Sequence, residues 1–110
     1  MTAPTSAKTN ERLAEVIRRI ADAAQPERII LFGSSARGEG GPNSDLDLLV
    51  IKGGEYDYHL LMESIYTHLH GVEMAVDVVL VTPEQVDQYR DTHCLVIKPA
   101  LREGKEVYRA

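Results

Sequence analysis

The chain carries a single cysteine, a deficit of positive charge and no apolar run near the ~20 residues that a membrane-spanning helix needs. Each shortage excludes a class of protein. Cys94 alone cannot close an internal disulfide or build a Cys-rich zinc site, so a reducing, cytoplasmic setting is expected. The first ten residues, MTAPTSAKTN, lack the apolar stretch of a secretory signal. The formal net charge is −5, and no basic stripe offers itself to a phosphate backbone. Acids and bases balance, seven of each, up to Lys52, whereas ten acids face five bases from Gly53 onward. Long DNA or RNA is therefore not expected as a ligand, while a nucleotide held at one local site stays open.

What is present is an ordinary globular composition, 44% apolar and 26% charged, in 110 residues. That length suits one domain with one core. Residues 1–9 read as a flexible arm and 10–110 as a single domain, with no internal repeat or linker. From about Asn10 to Ala24, Leu13, Val16, Ile17, Ile20, Ala21 and Ala24 recur at helical spacing, and Pro26 ends the helix. Arg28–Phe32 reads as a strand stopping at Gly33, and a Gly-, Ser-, Pro- and Asn-rich loop follows from Gly38 to Ser44. Asp45–Ile51 is a second predicted strand. Tyr58, Leu61, Met62, Ile65, Tyr66 and Leu69 mark a second amphipathic helix closed by Gly71. Val72–Val81 is a third strand, rich in valine. Thr82-Pro83-Glu84-Gln85 is a capping box with proline at the first helical position, which predicts a short helix carrying Val86 and Tyr89. Thr92–Gly104 reads as a helix that Pro99 kinks or divides, and Glu106–Tyr108 as a short last strand. This order predicts an α/β (α+β) layer with helices packed on a small sheet.

Within that layer three acids stand out. Asp45 and Asp47 are two apart on a predicted strand, so they share a face and lie about 6.6 Å apart along it. Asp77 interrupts the otherwise apolar Ala75-Val76-Asp77-Val78-Val79-Leu80, where an isolated buried charge would cost several kcal/mol. If the two strands are neighbours, three carboxylates converge at one rim of the sheet. Hard oxygen donors of this kind suit Mg²⁺ or Mn²⁺, and two such ions can serve a phosphoryl or nucleotidyl transfer. Taken singly, each acid has a plainer reading: Asp45 caps a turn after Asn43-Ser44, and Asp77 pairs with an arginine.

The loop ahead of these acids sharpens the choice. In Gly33-Ser34-Ser35-Ala36-Arg37-Gly38 a turn at Gly33 can present backbone N–H groups to an anion, the Ser34 hydroxyl can donate to a phosphate oxygen, and Arg37 can pair with one. An ordinary Gly-Ser turn with a solvated arginine is the competing reading of that segment alone. Gly33-Ser34, ten intervening residues and Asp45-x-Asp47, with a third Asp in the next strand, resembles the signature of the nucleotidyltransferase superfamily that shares the palm-like fold of DNA polymerase beta. The local text Gly-Ser-Ser-Ala-Arg-Gly … Ser-Asp-Leu-Asp-Leu-Leu-Val is similar to that of the minimal nucleotidyltransferases of prokaryotes. The likeness runs on through Val76-Asp77-Val78-Val79 to Ala100-Leu101-Arg102-Glu103-Gly104-Lys105 and Tyr108.

The resemblance implies a small mixed sheet of the polymerase beta-like palm type. It implies that Gly33 and Ser34 hold nucleotide phosphates, with Arg37 in a phosphate-binding or structural role. It further implies that Asp45 and Asp47 bind two Mg²⁺ ions (or Mn²⁺), and that Asp77 binds the one near the attacking group. The expected reaction moves a nucleoside monophosphate, AMP from ATP, to an acceptor hydroxyl. Minimal members of the superfamily are often encoded beside a helical partner of the HEPN class, and some act as antitoxins by attaching AMP to it. A partner protein of that type is the expected acceptor, and the acidic second half of the chain suits a basic partner surface. A catalytically silent module that inhibits its partner by docking is the alternative.

Other chemistry has less behind it. His68 and His70, two apart on a predicted helix, point in different directions, so a zinc site among His59, His68, His70 and His93 is not expected. Cys94 reads as a small core residue, and most of the five tyrosines as packing residues, although any could accept a nucleotide. The chain is too short for the donor domain of an Asp-x-Asp glycosyltransferase.

Overall fold

The computed structural model describes residues 4–33, 46–72, 75–89 and 104–110. Three helices, α1 (Pro4–Ala24), α2 (Tyr58–His68) and α3 (Pro83–Tyr89), accompany four strands, β1 (Arg28–Phe32), β2 (Leu46–Ile51), β3 (Val76–Val81) and β4 (Lys105–Arg109). α1 starts at Pro4, ahead of the expected start near Asn10. Proline suits a first helical position because its φ is preset and the missing N–H needs no partner there, and no residue from Thr5 to Glu11 forbids a helix. The expected Thr92–Gly104 helix, together with His93 and Cys94, lies outside the described residues.

The sheet order is β3-β2-β1-β4. β1 runs antiparallel to both β2 and β4, whereas β2 and β3 are parallel, which makes the sheet mixed. A parallel pair needs a crossover, and α2 supplies it over one face. Strand alternation then sorts the apolar residues into two layers. Ile29, Leu31, Leu46, Leu48, Val50, Val78 and Leu80 face α1 and α2, where Val16, Ile20, Ala24, Ile65 and Leu69 meet them. Ile30, Leu49, Ile51 and Val81 point to the other face, covered in part by Val86 of α3. β2 is buried on both sides and forms the centre of the molecule.

Local signals account for the ends of the elements. Thr82 Oγ1 accepts from the Gln85 N–H at 3.1 Å and Gln85 Oε1 accepts from the Thr82 N–H at 2.9 Å, so the capping box forms as its spacing predicts. The Asp57 carboxylate accepts from the Leu60 N–H at 3.0 Å and caps α2. At the other end of α2 the Arg19 guanidinium donates to the carbonyls of His68 (3.1 Å) and His70 (3.0 Å), which satisfies C-terminal carbonyls and ties α2 to α1. β3 is shorter than the predicted Val72–Val81 and begins at Val76. Its register partner Leu46 is where β2 begins, so upstream residues have no β2 neighbour to pair with. Tyr58 and Tyr66, which periodicity assigns to the apolar face of α2, are 48% and 45% exposed, because the contact with the sheet runs through Leu61, Met62, Ile65 and Leu69.

Candidate active site

Because β2 and β3 run parallel and in register, Asp47 stands directly opposite Asp77. Register partners on adjacent strands share a face about 4.8 Å apart, so the two carboxylates project from the same side of the sheet. That side is the one carrying Leu49, Ile51, Val79 and Val81. Both acids are second residues of their strands, at the end of the sheet away from α3. Asp47 is half-buried and Asp77 exposed. The exposure of Asp77 corrects the expectation of a costly buried charge. β3 is an edge strand, and α3 covers only its far, C-terminal end. Among the described residues no arginine or lysine pairs with Asp77; Arg37, Arg90 and Arg102 lie outside them.

Gly33 belongs to the same corner. It follows β1, whose last residue Phe32 is the register partner of Asp47. Its φ of +76° lies in the left-handed region that favours glycine. A Cβ at this position would overlap Asp47 Oδ2 and lie 3.3 Å from Asp47 Cγ. Glycine here therefore does two things: it turns the chain out of β1 and it leaves the space that the Asp47 carboxylate fills. The family resemblance leads one to expect Gly33 in a phosphate loop, whereas its contact with Asp47 depends on the antiparallel register of β1 and β2.

Ser34, Arg37 and Asp45 lie outside the described residues. Asp45 immediately precedes Leu46, the first residue of β2. Among the described residues no group of three or more His, Cys, Asp or Glu forms a metal cradle. The described pair, Asp47 and Asp77, nevertheless matches a hard divalent cation in donor type, with two carboxylates one strand apart on the same face of the sheet. Two like charges about 5 Å apart repel by roughly 1 kcal/mol in water, the medium that the exposed Asp77 faces. A cation between them would reverse that sign.

A cleft of about 350 Å³, lined by residues that include Tyr56, Tyr58, Leu80, Thr82 and Gln85, lies at the C-terminal end of β3. Its nearest β3 residue, Leu80, is three positions along the strand from Asp77, about 10 Å, and the cleft does not include the acid pair. Beside it the Tyr56 hydroxyl donates to the Lys52 carbonyl at 2.9 Å. Burial, and then the nearby Glu84 carboxylate, push the Tyr56 phenol above its ordinary pKa. Sequence reasoning missed the reach of Arg19 to the end of α2, and also the Tyr66 hydroxyl, which accepts from the Val78 N–H next to Asp77 at 3.1 Å. Neither contact has a signal at short sequence range.

Known proteins share this arrangement of elements. Residues 11–105 match the family described as nucleotidyltransferase domain. Among solved structures, a candidate nucleotidyltransferase from Sulfolobus solfataricus is similar at a TM-score of 0.64 and 18% identity, over 96% of this chain and 84% of that one. A toxin–antitoxin structure with AMP-PNP is similar at 0.64 and 21% identity, over 88% of this chain and 73% of that one. A mutant of the toxin–antitoxin MntA–HpeT is similar at 0.61 and 18% identity, over 88% and 72%. These likenesses establish the fold, a small mixed sheet with packed helices. No curated protein sequence matches. No described helix is long and apolar enough to cross a membrane.

Proposed function

The chain belongs to the nucleotidyltransferase domain family, and from that premise we propose that it transfers AMP from ATP to a hydroxyl of a partner protein, releasing pyrophosphate. The observation that carries the reading is the in-register pairing of Asp47 with Asp77, with Gly33 packed on the Asp47 carboxylate. In the reaction a bond forms between the acceptor oxygen and the α-phosphorus. The α–β phosphoanhydride bond breaks, its electron pair leaves with pyrophosphate, and the hydroxyl proton is released.

Positioning and charge account for most of the work in such a transfer. Asp45, Asp47 and Asp77 would hold Mg²⁺, which supplies neutralisation of the phosphate charge when bound. Gly33 and Ser34 would bind the outer phosphates through backbone N–H groups and the serine hydroxyl, and Arg37 would pair with a phosphate oxygen. Asp77, exposed on the edge strand, is open to an incoming acceptor and would accept a hydrogen bond from its hydroxyl as the proton leaves. The half-buried Asp47 keeps its place against Gly33.

The partner is proposed to be a helical protein of the HEPN type. Support for a nucleotide and a protein partner comes from the toxin–antitoxin structures of like fold, one of them with AMP-PNP. The test is to incubate the purified chain with α-labelled ATP, Mg²⁺ and such a partner. Label should appear on the partner and vanish with Asp47→Ala. Absence of label with either Mg²⁺ or Mn²⁺ refutes the reading, and inhibition of the partner that survives Asp47→Ala without labelling establishes a docking module in its place.

A further inference from the structure

We propose that Tyr66 is a positioning residue for Asp77: its hydroxyl holds the outer side of the peptide bond that follows Asp77. The inference rests on the reading of the acid pair given above. β3 is the edge of the sheet, so only half of its backbone groups meet β2. The Leu46 N–H donates to the Ala75 carbonyl at 2.9 Å, and the Lys52 N–H to that of Val81 at 2.9 Å. In a parallel ladder the inward residues alternate, so 75, 77, 79 and 81 turn their backbone groups toward β2 and Val78 turns its N–H outward. That outward N–H donates to the Tyr66 Oη at 3.1 Å.

The Asp77–Val78 peptide is thus held from both sides. Its carbonyl belongs to the ladder with β2, and its N–H is taken by a side chain from the crossover helix. An unpaired N–H on an open edge would exchange with water and let the strand breathe. The side chain that would move with it is Asp77, whose carboxylate is exposed and has no cation among the described residues to fix it. Packing alone does not explain the tyrosine, since Tyr66 is 45% exposed and the apolar contact of α2 runs through Ile65 and Leu69.

Tyr66→Phe removes the hydroxyl and keeps the ring. Tyr58→Phe, on an exposed tyrosine of the same helix, is the control. In Tyr66→Phe the Val78 amide should exchange about tenfold faster. The kcat of nucleotide transfer should fall about tenfold, with the ATP KM held within about twofold. Tyr58→Phe should leave all three values at those of the wild type. Unchanged exchange at Val78 overturns the proposal, and so does faster exchange with a wild-type kcat. A rise in KM with kcat intact also overturns it, because the hydroxyl would then act on nucleotide binding and not on Asp77. If the wild-type chain transfers no nucleotide, the reading of the site fails. The clamp on the Asp77–Val78 peptide is then decided by the exchange rate alone.

Discussion

Replacing Gly33 by alanine separates two costs that the structure places on one residue. The first is conformational. At φ +76° an L-residue costs roughly 1–2 kcal/mol, offset in part by about 0.4–1 kcal/mol because alanine also restricts the unfolded chain. A net loss of about 1 kcal/mol lowers the melting temperature by roughly 4–8 °C in a domain of this size. The second cost is local, since the new methyl overlaps Asp47 Oδ2 and must displace the carboxylate or the turn. A displacement of about 1 Å at a reacting centre is worth about a hundredfold in rate. Gly54 provides the control, because at φ +90° a Cβ there would meet nothing within 4 Å. Gly54→Ala should therefore show the conformational loss alone in thermal melts and Gly33→Ala at least as large a loss, while only Gly33→Ala loses about two orders of magnitude in transfer of label from ATP. Wild-type transfer by Gly33→Ala would refute the argument that this glycine makes room for the carboxylate.

Further outcomes follow from the same geometry. Asp77→Asn removes a like charge opposite Asp47 and should stabilise the metal-free chain by about 0.5–1 kcal/mol while abolishing transfer. Mg²⁺ or Mn²⁺ should raise the melting temperature of the wild type and raise that of Asp77→Asn by less. Arg19→Ala frees the two carbonyls at the end of α2 and should cost about 1–2 kcal/mol in urea unfolding, with transfer by the folded protein unchanged. Glu106 is held below the usual carboxylate range by the Arg109 guanidinium first and by Arg28 second, the latter joining β4 to β1. A lowered folded pKa means that its stabilisation is present above the unfolded value near 4.5 and is lost as pH falls through the folded one. Melts from neutral pH down to about pH 3 should therefore show a shallower acid decline in Glu106→Gln than in the wild type.

Short-range pattern makes most of the elements legible. The strand Arg28–Phe32, the Thr82–Gln85 capping box and the last strand around Glu106–Tyr108 each occur where local chemistry places them. Boundaries are harder to read where they depend on a distant neighbour. β3 begins at Val76 because β2 begins at Leu46, and nothing in the valine-rich run from Val72 announces that limit. The orientation of Tyr66 escapes the pattern for a related reason. Helical periodicity puts it on the apolar face, while the structure leaves it half exposed with its hydroxyl on an edge N–H twelve residues away in sequence.

By itself the sequence determined the inventory: which segments become helices and strands, and which acids and glycines stand at their ends. Side-chain period, turn chemistry and spacing are local properties, and they are written in consecutive residues. Only the tertiary structure decided that Asp47 meets Asp77, that Gly33 lies against the first of these, that Asp77 is exposed and that Tyr66 reaches the strand beside it. Those relations depend on strand order, direction and register, which many segments settle together in burying a common core on both faces of the central strand.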